Sequence, residues 1–269
     1  MRRIVFFDSG AGGLSICEAV MRACPELGAA YLFDNEFFPY SERSDEVIIE
    51  RTGLLLGRIC AQFAFDAVVV ACNTASTLVL PMLRSRLSMP VVGVVPAIKP
   101  AAQLSQRHHI CLLATRATIA RPYINDLIRN FAAGCRVMRI GSTRLVEIAE
   151  NKLRGGHPDP AEMRTILSAV REGPAAERPD VLVLGCTHFA FLRREIQEAA
   201  GPGFRLLDAG DAIARRVRSL LQAAPPPPPG RDALPDPAGQ VFCTSPPADA
   251  EAALDIFRPY GFHRLSVLS

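Results

Sequence analysis

Lysine is nearly absent from this chain: Lys99 and Lys152 are the two present, and arginine supplies the rest of its positive charge. A Schiff-base lysine, the usual anchor for pyridoxal phosphate, therefore has almost no candidates. Lys99, beyond a predicted strand end, is the better placed of the two. Tryptophan is missing, and aromatic residues make up 7% of the chain. No basic stripe interleaved with aromatics occurs and the net charge is only +3, so nucleic acid is not an expected partner. No C-x-x-C pair is found, which removes zinc-ribbon and thioredoxin-type motifs and leaves no expected metal site. No apolar run is long enough to span a bilayer or to serve as a signal peptide, so no membrane partner is expected. The expected address is a reducing cytoplasm, with the eight scattered cysteines free.

What is present is an α/β pattern. Short apolar runs predict strands over residues 4–8, 30–34, 67–72, 91–95, 110–114, 136–140, 181–186 and 204–208. Amphipathic stretches predict helices over 14–24, 45–63, 118–131 and 189–200, and a further strand and helix over 240–244 and 248–260. This alternation implies mainly parallel sheets flanked by helices. By itself it divides the chain into halves at about residue 95. Five consecutive prolines from residue 225 open a Pro-rich loop over 224–239, expected to be an extended spacer rather than an SH3-type ligand.

Two cysteines stand out. Cys72 follows Val68-Val69-Val70-Ala71 and precedes Asn73-Thr74; Cys186 follows Val181-Leu182-Val183-Leu184-Gly185 and precedes Thr187-His188. Each closes a buried-strand pattern, where open α/β sheets place their ligands. A free cysteine is often a small buried hydrophobe, and the other six are read that way. Position, duplication and polar neighbours set these two apart. A thiol at a helix N-terminus is more easily ionised. Two facing thiols suit removal of a proton from one face of a carbon and its return on the other.

Other loops admit plainer readings. Asp8-Ser9-Gly10-Ala11-Gly12-Gly13 follows the first strand, but its spacing departs from a dinucleotide fingerprint and no ribose-binding acid is suitably placed. It fits a small carboxylate ligand, or simply a strand-to-helix turn. Asp34 through Ser41, with Pro39 and Tyr40, reads alone as an ordinary loop. His188 is placed either to assist Cys186 or to cap a helix.

Taken together, these segments resemble the glutamate racemases of the cofactor-independent aspartate/glutamate racemase family, particularly the proteobacterial type. The residues that carry the likeness are Phe7-Asp8-Ser9-Gly10, Gly12-Gly13-Leu14-Ser15, Asp34-Asn35, Pro39-Tyr40 and Ala71-Cys72-Asn73-Thr74-Ala75-Ser76. It continues through Gly93-Val94-Val95-Pro96-Ala97, Ala114-Thr115, Thr118 and Leu184-Gly185-Cys186-Thr187-His188-Phe189.

The resemblance implies two similar α/β domains with glutamate held in the cleft between them. It assigns 1–97 and 210–269 to the first domain and 98–209 to the second. It implies an isomerase that interconverts L- and D-glutamate for peptidoglycan synthesis, with no cofactor. Carried over by position, Cys72 takes the proton from D-glutamate and Cys186 from L-glutamate. Asp8 and His188 support the respective thiols, and Asp34 and Glu150 are further acids near the site. Ser9, Pro39, Tyr40, Ser41, Asn73, Thr74, Thr118 and Thr187 fall at substrate-binding positions. A homodimer and a cell-wall-precursor regulator are left open. The family usually has glycine after Pro-Tyr, where this chain has Ser41. Its usual Thr-His-x-Pro-Leu reads Thr187-His188-Phe189-Ala190-Phe191 here. The alternatives are a cofactor-free enzyme of another acid, such as an aspartate racemase or a decarboxylase, and a weakly catalytic binding protein of the same fold. The presence of both thiols argues against the binding protein.

Overall fold

A computed structural model describes residues 1–225 and 234–268. The strands described are, in chain order, β1 Arg3–Asp8, β2 Gly28–Phe33, β3 Ala67–Val70, β4 Val91–Gly93, β5 His109–Ala114, β6 Arg136–Gly141, β7 Val181–Leu184, β8 Arg205–Leu207, β9 Gln240–Cys243 and β10 Arg264–Val267. They form two sheets, ordered β10-β9-β2-β1-β3-β4 and β6-β5-β7-β8, with every pairing parallel. The chain separates into two compact units, Met1–Val94 with Gly210–Ser269, and Val95–Ala209.

β1, β3, β5 and β7 are buried throughout their length. That burial explains their unbroken apolar composition, because helices cover both faces of such a sheet. Phe7, Leu32, Val68, Val70 and Val79 meet in the core of the first unit, and Ile98, Ile110, Leu112, Ile124 and Val183 in that of the second. Fully burying one such side chain contributes roughly 1.5–3 kcal/mol.

In each sheet the strand order reverses at its first strand in the chain. β1 is flanked by β2 and β3, and β5 by β6 and β7. The carboxyl ends of β1 and β3 therefore border one switch point, and those of β5 and β7 border another. Open α/β sheets bind ligands in such crevices.

Several expectations need correction. The helix foreseen over 118–131 is two helices, Arg116–Ala120 and Pro122–Phe131, because Arg121 is held extended before Pro122. Residues 189–200 hold part of a 3₁₀ turn, Thr187–Leu192, followed by the helix Arg193–Ala200. The last foreseen helix is reduced to Ala250–Asp255 and the turn Arg258–Tyr260. The helix-like segment expected after Cys72 is the helix Asn73–Arg86, whereas strand β10 was not foreseen. Residues 226–233 of the expected polyproline loop lie outside the described residues. Among the described residues, no helix is long and apolar enough to cross a membrane.

Candidate active site

In the first unit, the switch point brings Asp8 and Cys72 to one sheet edge. Phe7 is in register with Val70, and the Ala71 amide continues the ladder by donating to the Phe7 carbonyl at 2.7 Å. Cys72 then stands as the N-terminal cap of Asn73–Arg86, and no side chain caps that helix. The thiol is buried, and its Sγ lies 3.9 Å from the Ser9 hydroxyl oxygen. Ser9 in turn donates to Asp8 Oδ1 at 3.2 Å, and the Gly10 amide donates to the same oxygen at 3.1 Å. The glycine-rich turn thus serves to orient the Asp8 carboxylate. Asn73 and Thr74 are buried beside the thiol, and Asn73 Oδ1 has no partner.

Asp34 is fully buried at the neighbouring end of β2. Its amide donates to the Asp8 carbonyl at 3.1 Å. Its carboxylate accepts from the Tyr40 hydroxyl at 2.7 Å, from Arg51 Nε and Nη2 at 2.9 and 3.0 Å, and from the Thr244 hydroxyl at 2.6 Å. Asp34 therefore anchors a loop, and the bidentate Arg51 balances its charge. Burial pushes the Tyr40 phenol far up, and the adjacent Asp34 charge adds to this, so Tyr40 acts as a neutral donor. Pro39 follows a cis peptide bond. Ser41 lies in the turn Tyr40–Glu42. Among the described residues the one non-glycine residue at positive φ is His108, so serine replaces the usual glycine here without backbone strain.

In the second unit, Gly185 carries the chain from β7 to Cys186. A Cβ at this position would meet Leu112 Cδ1 at 2.8 Å, Ala114 Cβ at 3.0 Å and the Leu113 carbonyl oxygen at 3.2 Å. Close approach of β7 to β5 requires the glycine. Cys186 Sγ lies 3.8 Å from His188 Nδ1, and His188 Nε2 lies 2.9 Å from Glu150 Oε1. Arg154 donates to Glu150 Oε2 at 2.9 Å. Burial works to lower the pKa of His188, but its hydrogen bonds to Cys186 and Glu150 outweigh burial and hold it well above the usual histidine range. Both ring nitrogens are engaged, Nδ1 towards the thiol and Nε2 towards the carboxylate, an arrangement that favours the protonated ring.

Thr118 and Thr187 are buried at the same switch point. Thr115 caps Arg116–Ala120 and donates through its hydroxyl to Thr118 Oγ1 at 2.9 Å. Lys152 donates to the Phe191 carbonyl at 2.8 Å and to Glu195 at 2.7 Å, tying the helix Arg144–Leu153 to the turn that carries His188. Lys99 is exposed, with its ammonium 5.5 Å from the centre of the Phe131 ring. All eight cysteines are free thiols. No cluster of His, Cys, Asp or Glu suited to a metal ion occurs among the described residues.

The proposed site positions divide between the two units: Asp8, Ser9, Asp34, Pro39, Tyr40, Ser41, Cys72, Asn73 and Thr74 lie in the first, and Thr118, Glu150, Cys186, Thr187 and His188 in the second. Sequence reasoning missed Arg51, Thr244 and Arg154. Arg154 had one signal, its i,i+4 spacing from Glu150.

Residues 9–217 match the family described as Asp/Glu/Hydantoin racemase. The chain belongs to this family. It is accordingly an isomerase. Glutamate racemase of Vibrio vulnificus (strain YJ016) is 46% identical to it over 264 residues, covering 98% of this chain and 96% of that protein. The crystal structure of Escherichia coli glutamate racemase in complex with L-glutamate and the activator UDP-MurNAc-ala matches with a TM-score of 0.93 at 42% identity, covering 100% of this chain and 99% of that one. Glutamate racemase isoform RacE1 from Bacillus anthracis matches with a TM-score of 0.77 at 25% identity, covering 99% and 96%. The mainly parallel, two-sheet architecture is common to these racemases.

Proposed function

We propose that this racemase interconverts L- and D-glutamate without a cofactor, using Cys72 and Cys186 as its two acid/base groups. The observation that carries the reading is the duplication: each sheet has one buried thiol at its own switch point, with hydrogen-bonding residues beside it. The names of the full-length relatives support glutamate as substrate.

In the D-to-L direction, the Cys72 thiolate takes the α-proton and the electron pair stays on the substrate. The Cys186 thiol delivers its proton to the opposite face and becomes a thiolate. The L-to-D direction runs in reverse, so the reading requires both sulfurs to reach one α-carbon. The His188 imidazolium stabilises the Cys186 thiolate, and Glu150 keeps that imidazole charged and oriented. Asp8 acts on Cys72 through Ser9. Without an electron sink, fixed hydrogen bonds to the substrate carboxylates must stabilise the carbanion. Asn73, Thr74, Thr118 and Thr187 are the candidates, with Pro39, Tyr40 and Ser41 shaping the loop. D-glutamate made this way would feed peptidoglycan synthesis in the cytoplasm. Control by a cell-wall precursor fits the activator bound by the Escherichia coli relative.

The test is incubation with L-glutamate or L-aspartate in D₂O. Loss of optical rotation with deuterium at the α-carbon of glutamate, and little with aspartate, is the expected result. Faster exchange of aspartate would reassign the substrate. Exchange of neither would leave a binding protein.

A further inference from the structure

In a chain with two lysines, one of them spends every donor it has inside the protein. The Lys152 ammonium donates to the Phe191 carbonyl at 2.8 Å and to the two carboxylate oxygens of Glu195 at 2.7 and 2.9 Å. Glu195 is buried. Burial works to raise the pKa of its carboxyl, but the hydrogen bond from Lys152 outweighs burial and holds it below the usual carboxylate range. Arg194 also donates to Glu195 Oε1, at 3.2 Å, but from an exposed side chain.

The placement of this pair bears on Cys186. Lys152 lies in the last turn of the helix Arg144–Leu153 and Glu195 in the first turn of Arg193–Ala200, where the helix dipoles favour each charge. The turn Thr187–Leu192, which carries His188, packs on the first helix and runs directly into the second. The first helix grips that turn twice. Glu150 holds the His188 ring by Nε2 at 2.9 Å, and Lys152 holds the backbone beyond it at the Phe191 carbonyl. Inside the turn, Ala190 has no ring to fix its φ, so the shape of the turn depends on ties from outside. The distance it sets is critical: His188 Nδ1 lies 3.8 Å from Cys186 Sγ, and attraction between imidazolium and thiolate weakens as that gap widens. Without Lys152 the backbone is free to shift while the ring pivots on Glu150.

We propose that Lys152, anchored on Glu195, is a positioning residue that holds the His188 ring against Cys186 and so sets how readily that thiol ionises. The proposal rests on the reading of Cys186 as one of the two acid/base groups, and deepens it. Cys186 and Glu150 face His188, Arg154 stands behind Glu150, and Lys152 and Arg194 face Glu195. Lys152 therefore acts through the backbone of the turn, by way of His188.

The experiment follows alkylation by iodoacetamide as a function of pH, read at Cys186 and Cys72 in the same sample by mass spectrometry of peptides. The midpoint of each profile reports ionisation, whereas a change in access alters the rate without moving the midpoint. In Lys152→Met the Cys186 midpoint is expected to rise by about half a pH unit or more, a roughly threefold loss of thiolate, while the Cys72 midpoint stays in place. The double variant Lys152→Met/Glu195→Gln leaves no unpaired carboxylate, carries the same expectation and replaces the single variant if that does not fold. Lys152→Arg keeps the charge and its donors and should lie closer to wild type than Lys152→Met. In a His188→Asn background, Lys152→Met should move the midpoint no further. An unmoved Cys186 midpoint, an equal shift at both cysteines, or a full further shift without His188 would overturn the proposal and mark the pair as structural. Alkylation needs no substrate, so a wild type that fails to racemise glutamate would overturn the glutamate reading while the clamp is still judged by these midpoints.

Discussion

His188 Nε2 lies 2.9 Å from Glu150 Oε1, and both side chains are buried. The contact holds a histidine two residues beyond a thiol in place from behind and favours its protonated form. The ring cannot swing away from Cys186 without giving up its bond to this buried carboxylate.

This pair gives the protein a pH signature. His188 is raised above the ordinary histidine value of 6.5, so the folded chain holds a proton that the unfolded chain releases sooner. The stabilisation is complete below about 6.5 and fades as pH rises through the raised, folded value. Urea unfolding of wild type is therefore expected to show stability declining from pH 7 to pH 9, with a shallower decline in His188→Asn. Parallel profiles would contradict the assignment.

Arg51, itself part-exposed, pairs with the fully buried Asp34. Arg51→Ala leaves that carboxylate without its guanidinium and is expected to cost about 3–5 kcal/mol in urea unfolding. Arg51→Lys keeps the charge but loses the bidentate fork, so it should cost less. A loss below about 1 kcal/mol for Arg51→Ala would mean that the pair is dispensable.

Gly185→Ala forces a methyl group against Leu112, Ala114 and the Leu113 carbonyl. Overpacking of this kind costs about 1–3 kcal/mol. Cys186 is the next residue, so racemisation should fall by more than the stability loss accounts for. Unfolding by urea and turnover, measured on the same preparation, separate the two effects. Unchanged turnover would show that Cys186 tolerates displacement.

Thiol labelling should separate site from core. Burial pushes Cys60 up to about 11 and Cys111 up to about 12, and it pushes Cys17 still further. Iodoacetamide at pH 8 reacts with thiolate, so these three should lag behind Cys72 and Cys186. Glutamate should slow only the latter two. Mass spectrometry of peptides reads both effects, and protection of Cys60 by glutamate would count against the assignment.

Much of the architecture was legible because buried parallel strands leave a plain trace. Val68-Val69-Val70 and Val181-Leu182-Val183 are continuous apolar runs closed by polar residues, which located both sheet edges. The helix after Cys72 was legible as a helix-like segment, but its bounds, Asn73–Arg86, were not, because Pro81 lies inside it and its start is a run of small polar residues. β10 was hidden for a different reason: it is short and largely exposed, and it forms by pairing with β9 rather than by local preference. The same limit applied at the site. Cys72, Cys186 and His188 sit within local motifs. Thr244 reaches Asp34 across 210 residues and Arg51 reaches it across 17, distances that no local pattern encodes.

The central claim is that two thiols act on one α-carbon, and replacing each in turn tests it most directly. Cys72→Ser and Cys186→Ser keep size but put a far weaker acid at each sheet edge. Racemisation of L- and D-glutamate, followed by optical rotation, should be abolished or nearly so in both variants, while Cys24→Ser and Cys243→Ser stay close to wild type. Near-wild-type turnover in either Cys72→Ser or Cys186→Ser would contradict the two-thiol account.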